Sequence, residues 1–331
     1  MQNILVIKHG ALGDIFMSLP PMQAIREKHP EDNIVLLTTA QYAQMLAYAP
    51  FFDEVWVDKK PKLWHLKDMK ALKDRLRSKK FAFVYDLQTS ERSSSYFKLM
   101  GKPKHWSGVA KGCSHNCDSE DRAAKHTAVR QLEQLKMCDI TYEYKHDLSW
   151  INSDLEDLPD IEQPYAIIIA GGSAHRPEKR WPKEHFAALC RRLNKEGINP
   201  VLIGTGAERQ ELAYIASNAD GCVNLCGKTG LFDLIELARN ARFAVGNDTG
   251  PMHMIAATLC RSIVLFSNAS DPRLCAPLGE HVTVLQKETL ADLPLGDVES
   301  VLDLTTTEAH EKAEQITEKK VDVKDDTTSN T

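Results

Sequence analysis

The stretch Gly246-Asn247-Asp248-Thr249-Gly250-Pro251-Met252-His253 gathers residue types that suit an anion. A run with apolar and β-branched character, Arg242 to Val245, leads into it, and an apolar, alanine-rich run, Met254 to Leu259, follows. That order predicts strand, tight turn and helix, with Gly250 freeing the turn and Pro251 at the first helical position. A helix start exposes backbone N–H groups without intrahelical partners, here beside the Thr249 hydroxyl and the His253 imidazole, and such a place binds phosphate. The same eight residues also fit a plain capped connection, with Asp248 or Thr249 as N-cap. Two further glycine turns follow apolar runs: Gly10-Ala11-Leu12-Gly13-Asp14 after Ile4 to Ile7, and Gly171-Gly172 after Ala166 to Ala170.

The elements that must hold these turns alternate between strand and helix patterns. Ile4 to Ile7, Ile34 to Leu37, Val55 to Val57 and Phe81 to Asp86 are short apolar runs of the kind buried on both faces of a parallel sheet. Between them lie helical patterns, one through Ile15, Leu19, Met22 and Ile25 with Pro20 and Pro21 early in it, and one over 119–138. An acidic stretch with Pro159 and Pro164 marks a linker, and the alternation then restarts at Ala166. The expected class is α/β, with two doubly wound domains over 1–155 and 156–304. The polar segment 305–331 has no aromatic residue and is expected to be disordered.

The chain has 331 residues, 43% hydrophobic and 26% charged, as in soluble globular proteins. The net charge of −5 gives no global attraction to nucleic acid or anionic lipid, so none is expected for nucleic acid. No apolar run spans a bilayer and the first residues enter a strand directly, so a cytoplasmic location is expected. Residues 59–80 break the acidity with ten Lys or Arg against two Asp. Leu66, Met69, Leu72 and Leu76 recur there at helical spacing, so the helix either packs its stripe on the sheet or presents a basic face to an anionic membrane, and both can hold. Cys113, His115, Cys117 and His126 prompt a metal reading, but C-x₃-C is not a standard zinc spacing and no metal site is expected. The first turn lacks G-x-G-x-x-G, and Gly227-Lys228-Thr229 lacks the leading glycine of a P-loop at Cys222, which excludes a dinucleotide site and a P-loop NTPase.

Ile4-Leu5-Val6-Ile7-Lys8 with Gly13-Asp14, then Lys179-x-Trp181-Pro182, then Gly246 to His253, together resemble glycosyltransferase family 9. These are the bacterial ADP-heptose:lipopolysaccharide heptosyltransferases and their relatives. The likeness runs from the first strand to about Leu285. It implies a GT-B fold, two Rossmann-like domains facing across a cleft, and an inverting, metal-independent transfer without a cofactor. The substrates it implies are a nucleotide sugar, ADP-heptose in the first instance, and a lipid-linked glycan acceptor of the lipopolysaccharide core. Such an acceptor would bring the protein to the cytoplasmic face of the inner membrane.

By the same resemblance, Asp14 is the base that takes the proton from the acceptor hydroxyl, a role that competes with capping the first helix. Ser173 begins the donor loop and Lys179 meets phosphate. Glu208 holds ribose hydroxyls, or is a solvated first-turn acid. Thr229 lies where the backbone holds the nucleobase. Asp248 would be repelled by a diphosphate and so takes sugar hydroxyls or backbone amides, while Thr249, Gly250 and His253 face the phosphates. On the acceptor side stand Gly13, Asp86, Gln88, Arg92 and Ser93. His126 and Arg130 are expected on one helical face at i, i+4. A donor with another base or sugar and a non-catalytic nucleotide-sugar-binding protein remain as other readings.

Overall fold

The computed structural model describes residues 1–62, 64–172, 176–302 and 304. The tail 305–331 and Ser173 lie outside the described residues. The N-terminal domain runs β1 (Asn3–Ile7), α1 (Leu12–Met17), α2 (Leu19–Lys28), β2 (Asn33–Thr38), α3 (Ala40–Leu46), β3 (Glu54–Val57), α4 (Leu66–Arg77), β4 (Phe81–Asp86), α5 (Glu91–Leu99), β5 (Trp106–Gly108), β6 (His115–Asn116) and α6 (Thr127–Lys136). The C-terminal domain runs β7 (Tyr165–Ile169), α7 (Lys183–Lys195), β8 (Asn199–Leu202), α8 (Arg209–Ser217), β9 (Val223–Asn224), α9 (Leu231–Asn240), β10 (Phe243–Asn247), α10 (Gly250–Ala257), β11 (Ser262–Ser267), α11 (Pro272–Cys275), β12 (Val282–Lys287) and α12 (Leu295–Val301).

Each domain is built on one six-stranded sheet, in the orders β3-β2-β1-β4-β5-β6 and β12-β11-β10-β7-β8-β9. Every pairing is parallel. Counting the second sheet from β7 gives the same order as the first, so both domains are wound alike and each has its switch point beside its first strand. The cause is visible in β1 and β7, whose apolar side chains are buried on both faces. Helices must then cover each side, and the crossover helices do so.

Local departures from the expected pattern have local causes. The first helical pattern breaks at Ser18, and Pro20 and Pro21 sit in the first turn of α2, where a missing N–H costs nothing. The long pattern over 119–138 shortens to α6, because His126 takes the N-cap and the preceding residues form only a single 3-10 turn. The stripe of α4 is only half used: Leu72 and Leu76 are buried, but Leu66 is exposed and Trp64 beside it is 71% exposed.

Candidate active site between the two domains

The two domains meet through their turn-bearing edges. Helix α1 packs on α10, and the approach is so close that only glycine fits at two positions. A Cβ on Gly13 would lie 2.7 Å from His253 Cδ2, and one on Gly250 would lie 2.7 Å from Leu12 Cβ. Gly13 therefore serves helix contact across the cleft, a use of the glycine beyond the acceptor-side place expected for it. On one flank His126 Nε2 lies 3.0 Å from the Ala276 carbonyl and Thr127 donates to the Leu274 carbonyl. On the other, Tyr48 and Trp150 both meet the Phe232 ring edge-on, at 5.5 and 6.3 Å between centroids.

A cavity of about 590 Å³ lies against the C-terminal ends of β7, β8, β9 and β10. Lys179, Glu208, Thr229, Asp248, Thr249 and Gly250 line it; Asp14, His253, Gln88, Arg92 and His126 do not. The octet is organised by a residue that sequence reasoning passed over. Asn247 ends β10 fully buried, donates to the carbonyls of Ala170 and Gly171, and accepts from the Trp181 amide. It thus ties the Gly171 turn and the loop carrying Lys179 to the strand. Trp181 completes the anchor with a bond from Nε1 to the Leu293 carbonyl. An Asn at the last position of a buried strand was the available signal.

Thr249 occupies the N-cap position of α10 with an extended backbone, but its hydroxyl makes no cap bond. Gly250 is the first helical residue and Pro251 the second, one later than expected. Thr249 Oγ1 is buried and has no partner among the described residues, a condition worth about 1–3 kcal/mol to relieve. His253 Nδ1 is in the same state one turn further on. Burial pushes the His253 imidazole down to about 4, against the upward pull of Asp248 and Asp14. Lys179 Nζ stands 2.6 Å from Asp248 Oδ2, and the Ser270 hydroxyl donates to the same oxygen at 2.6 Å. Asp248 is thus held by a cation and a hydroxyl, and among the described residues not by backbone amides, one of the two kinds of partner expected for it.

Glu208 closes a capping box. Its Oε2 accepts from the Thr205 amide at 2.8 Å and from the Thr205 hydroxyl at 2.5 Å, so the acid is locally engaged as well as part of the lining.

Across the cleft, Asp14 is the third residue of α1 and not its N-cap. Its Oδ2 accepts from the Ala11 amide at 3.0 Å. Gly10 makes the turn at φ +126°, and the Tyr42 ring lies where a side chain would go. The loop is fixed from behind. The His9 amide donates to Gln88 Oε1, the Thr39 hydroxyl donates to the His9 carbonyl, and His9 Nε2 stands 3.0 Å from Asp58 Oδ2. Burial would raise the Asp58 carboxyl, but hydrogen bonds from His9, Tyr96 and the Lys60 amide outweigh it and lower the group below its ordinary value. Gln88 therefore holds the loop, and Arg92 donates to the Pro61 carbonyl. Ser93 is buried in the α5 capping box.

Asp86 is fully buried and pushed up to about 7 by that burial, its Oδ1 accepting from the Gln88 and Thr89 amides. Lys8, also buried, donates to the Leu87 carbonyl, and burial lowers its ammonium against the fields of Asp14 and Asp86. His126 is not on a helical face with Arg130: its Nδ1 accepts from the Ala128 amide as N-cap of α6. Arg130 instead ties the preceding loop through the Lys125 and Ala123 carbonyls. Among the described residues no group of three or more His, Cys, Asp or Glu could hold a metal ion.

The family model for glycosyltransferase family 9 (heptosyltransferase) matches residues 69–305, well over half of the sequence. The chain belongs to glycosyltransferase family 9. It is a glycosyltransferase, and the non-catalytic reading falls away. This family 9 chain is 26% identical to lipooligosaccharide heptosyltransferase 2 of Haemophilus influenzae, over 95% of its own length and 99% of the relative's. Among solved structures it is similar to the E. coli ADP-heptose lps heptosyltransferase II, with TM-score 0.74 and 22% identity over 90% of this chain and 96% of that one. It is also similar to E. coli heptosyltransferase WaaC with ADP-2-deoxy-2-fluoro heptose, with TM-score 0.72 and 21% identity over 90% and 98%. These likenesses agree with the two parallel sheets in giving the GT-B fold.

Proposed function

We propose that this glycosyltransferase moves heptose from ADP-heptose to a lipopolysaccharide core acceptor, with inversion and without a metal. The observation that carries the proposal is the start of α10, where the buried Thr249 hydroxyl, without a partner among the described residues, stands in the lining of a cavity that also holds Gly250 and Lys179. A diphosphate leaving group needs positive charge placed in advance, and the helix dipole with the Lys179 ammonium supplies it. The choice of ADP-heptose and of the acceptor is supported by the relatives' names and by the WaaC complex.

In this reaction Asp14 takes the proton of the acceptor hydroxyl. Its Oδ2 is engaged with the Ala11 amide, which leaves Oδ1 for that task. The acceptor oxygen bonds to the anomeric carbon from the face opposite the diphosphate, the bond to the diphosphate oxygen breaks, and ADP leaves with its charge on α10 and Lys179. The cationic side chains of Arg122 and Arg130, both within the field of buried Lys8 or of Asp14, suit an anionic acceptor. We place the enzyme at the cytoplasmic face of the inner membrane, with the basic segment 59–80 toward the lipid.

A parallel assay with ADP-, UDP- and GDP-sugars and a core acceptor tests the donor. Transfer from ADP-heptose that persists in excess EDTA is expected. The Asp14→Asn variant should bind ADP normally and lose transfer by about two to four orders of magnitude. Full turnover by that variant removes the base assignment, and preference for a UDP- or GDP-sugar removes the donor.

A further inference from the structure

The donor cavity has a roof that the donor reading leaves without a role. Of the described residues that line it, only Leu12 and Gln41 come from the N-terminal domain. Leu12 is apolar and lies against Gly250, so it covers the start of α10. Gln41 is the only polar side chain the N-terminal domain lends to the described lining, and it is exposed.

Its place along the cavity follows from the elements around it. Gln41 is the second residue of α3. That helix is fixed at both ends. At the start, Tyr42 lies over Gly10, and the Thr39 hydroxyl is turned away from capping to the His9 carbonyl. Just past the end, Tyr48 meets Phe232 across the domain interface. Phe232 is the second residue of α9, and Thr229, Gly230 and Leu231 just before it form one end of the cavity. Helix α3 therefore runs across the cavity from the Gly10 turn at its start to the β9 end just past its last turn, while α10 holds the β10 end.

In the sheet, β9 is three strands from β10, through β7 and β8. At about 4.8 Å per strand that is roughly 14 Å, the reach of a nucleoside from its diphosphate. With the diphosphate at α10, the nucleoside extends toward β9 and passes beneath Gln41.

We propose that Gln41 recognises the nucleoside of the donor from the opposite domain. Its carboxamide offers a donor and an acceptor together, which matches the paired hydroxyls of a ribose and the polar edge of a purine. The nucleoside is then held between the domains, with Glu208 and the Thr229 backbone below it and Gln41 above. This inference rests on the donor reading given above.

The test is titration calorimetry with ADP on the wild-type protein and on Gln41→Ala, with inorganic pyrophosphate as competitive inhibitor of transfer in both. Gln41 is exposed, so equal melting temperatures are expected. Loss of one hydrogen bond should weaken ADP about three- to tenfold. Inhibition by pyrophosphate should stay unchanged. Unaltered ADP affinity in Gln41→Ala overturns the inference, as does an equal loss for pyrophosphate, which would place the side chain at the phosphates. Thr249→Val separates the two levels. If it weakens ADP while Gln41→Ala does not, the donor site stands and the roof falls; if neither variant matters, the donor site itself is wrong.

Discussion

Replacing His253 by Asn should remove a pH dependence that the fold builds into the cleft. In the native protein this imidazole is 8% exposed, packed against Gly13, and pushed down to about 4 by burial. In the unfolded chain it titrates near 6.5. Between those values the unfolded chain carries a proton there and the native protein does not. The neutral histidine's contribution is therefore fully present above pH 6.5 and is lost as pH falls toward 4. Two and a half pH units at about 1.4 kcal/mol each make roughly 3.5 kcal/mol.

The wild-type curve alone will not display this cleanly. Asp86, pushed up to about 7 by burial, keeps its proton in the native state where the unfolded carboxyl has lost it. Its contribution falls as pH rises from about 4 to 7, the opposite slope. His29, His126 and His146, all lowered by burial, add to the slope of His253. The informative quantity is the difference between wild type and His253→Asn. Urea unfolding at pH 4.5, 5.5, 6.5 and 7.5 should show the variant gaining about 2–3 kcal/mol on the wild type from the highest pH to the lowest. A difference that stays flat across that window would show that His253 titrates like an exposed histidine, and the packed interface between α1 and α10 would be misdrawn.

Two other perturbations probe the same surfaces. Gly250→Ala places a methyl group 2.7 Å from Leu12 Cβ, which cannot swing aside, so it should cost about 1–3 kcal/mol in unfolding free energy and weaken ADP binding together; an unchanged melting temperature would mean that the domains do not close as drawn. Replacing Lys62, Lys67 and Lys70 by Glu, on the exposed side of the 59–80 segment beside Trp64, should abolish sedimentation with vesicles rich in anionic lipid and leave transfer to a water-soluble acceptor intact; sedimentation at wild-type levels would detach that segment from any membrane role.

How far the sequence could carry the reader depends on the distance over which each feature is determined. The strands were legible because a parallel strand must be apolar at successive positions, and runs such as Ile4 to Ile7 and Ala166 to Ala170 satisfy that within five residues. The repeat of the alternation after the acidic linker pointed to two sheets, and the identical winding of both follows from the right-handed crossovers such units must make. The turn at Gly250 was legible for the same local reason. What was not legible joins distant positions. Lys179 and Asp248 are 69 residues apart, and Lys179 and Ser270 donate to one Asp248 oxygen, so a lysine expected on phosphate and an aspartate expected on sugar or amides meet each other first. Asp58, one residue past the short strand β3, closes on His9, 49 residues away, and so steadies the Gly10 turn behind Asp14. Gly13 was assigned by motif to the acceptor, and only the His253 ring facing it from the other domain shows that its missing side chain is a matter of fit. A local pattern reports what a residue does to its own backbone. The cleft is made of what residues do to a second backbone, and for Gly13 and Asp248 those two accounts differ.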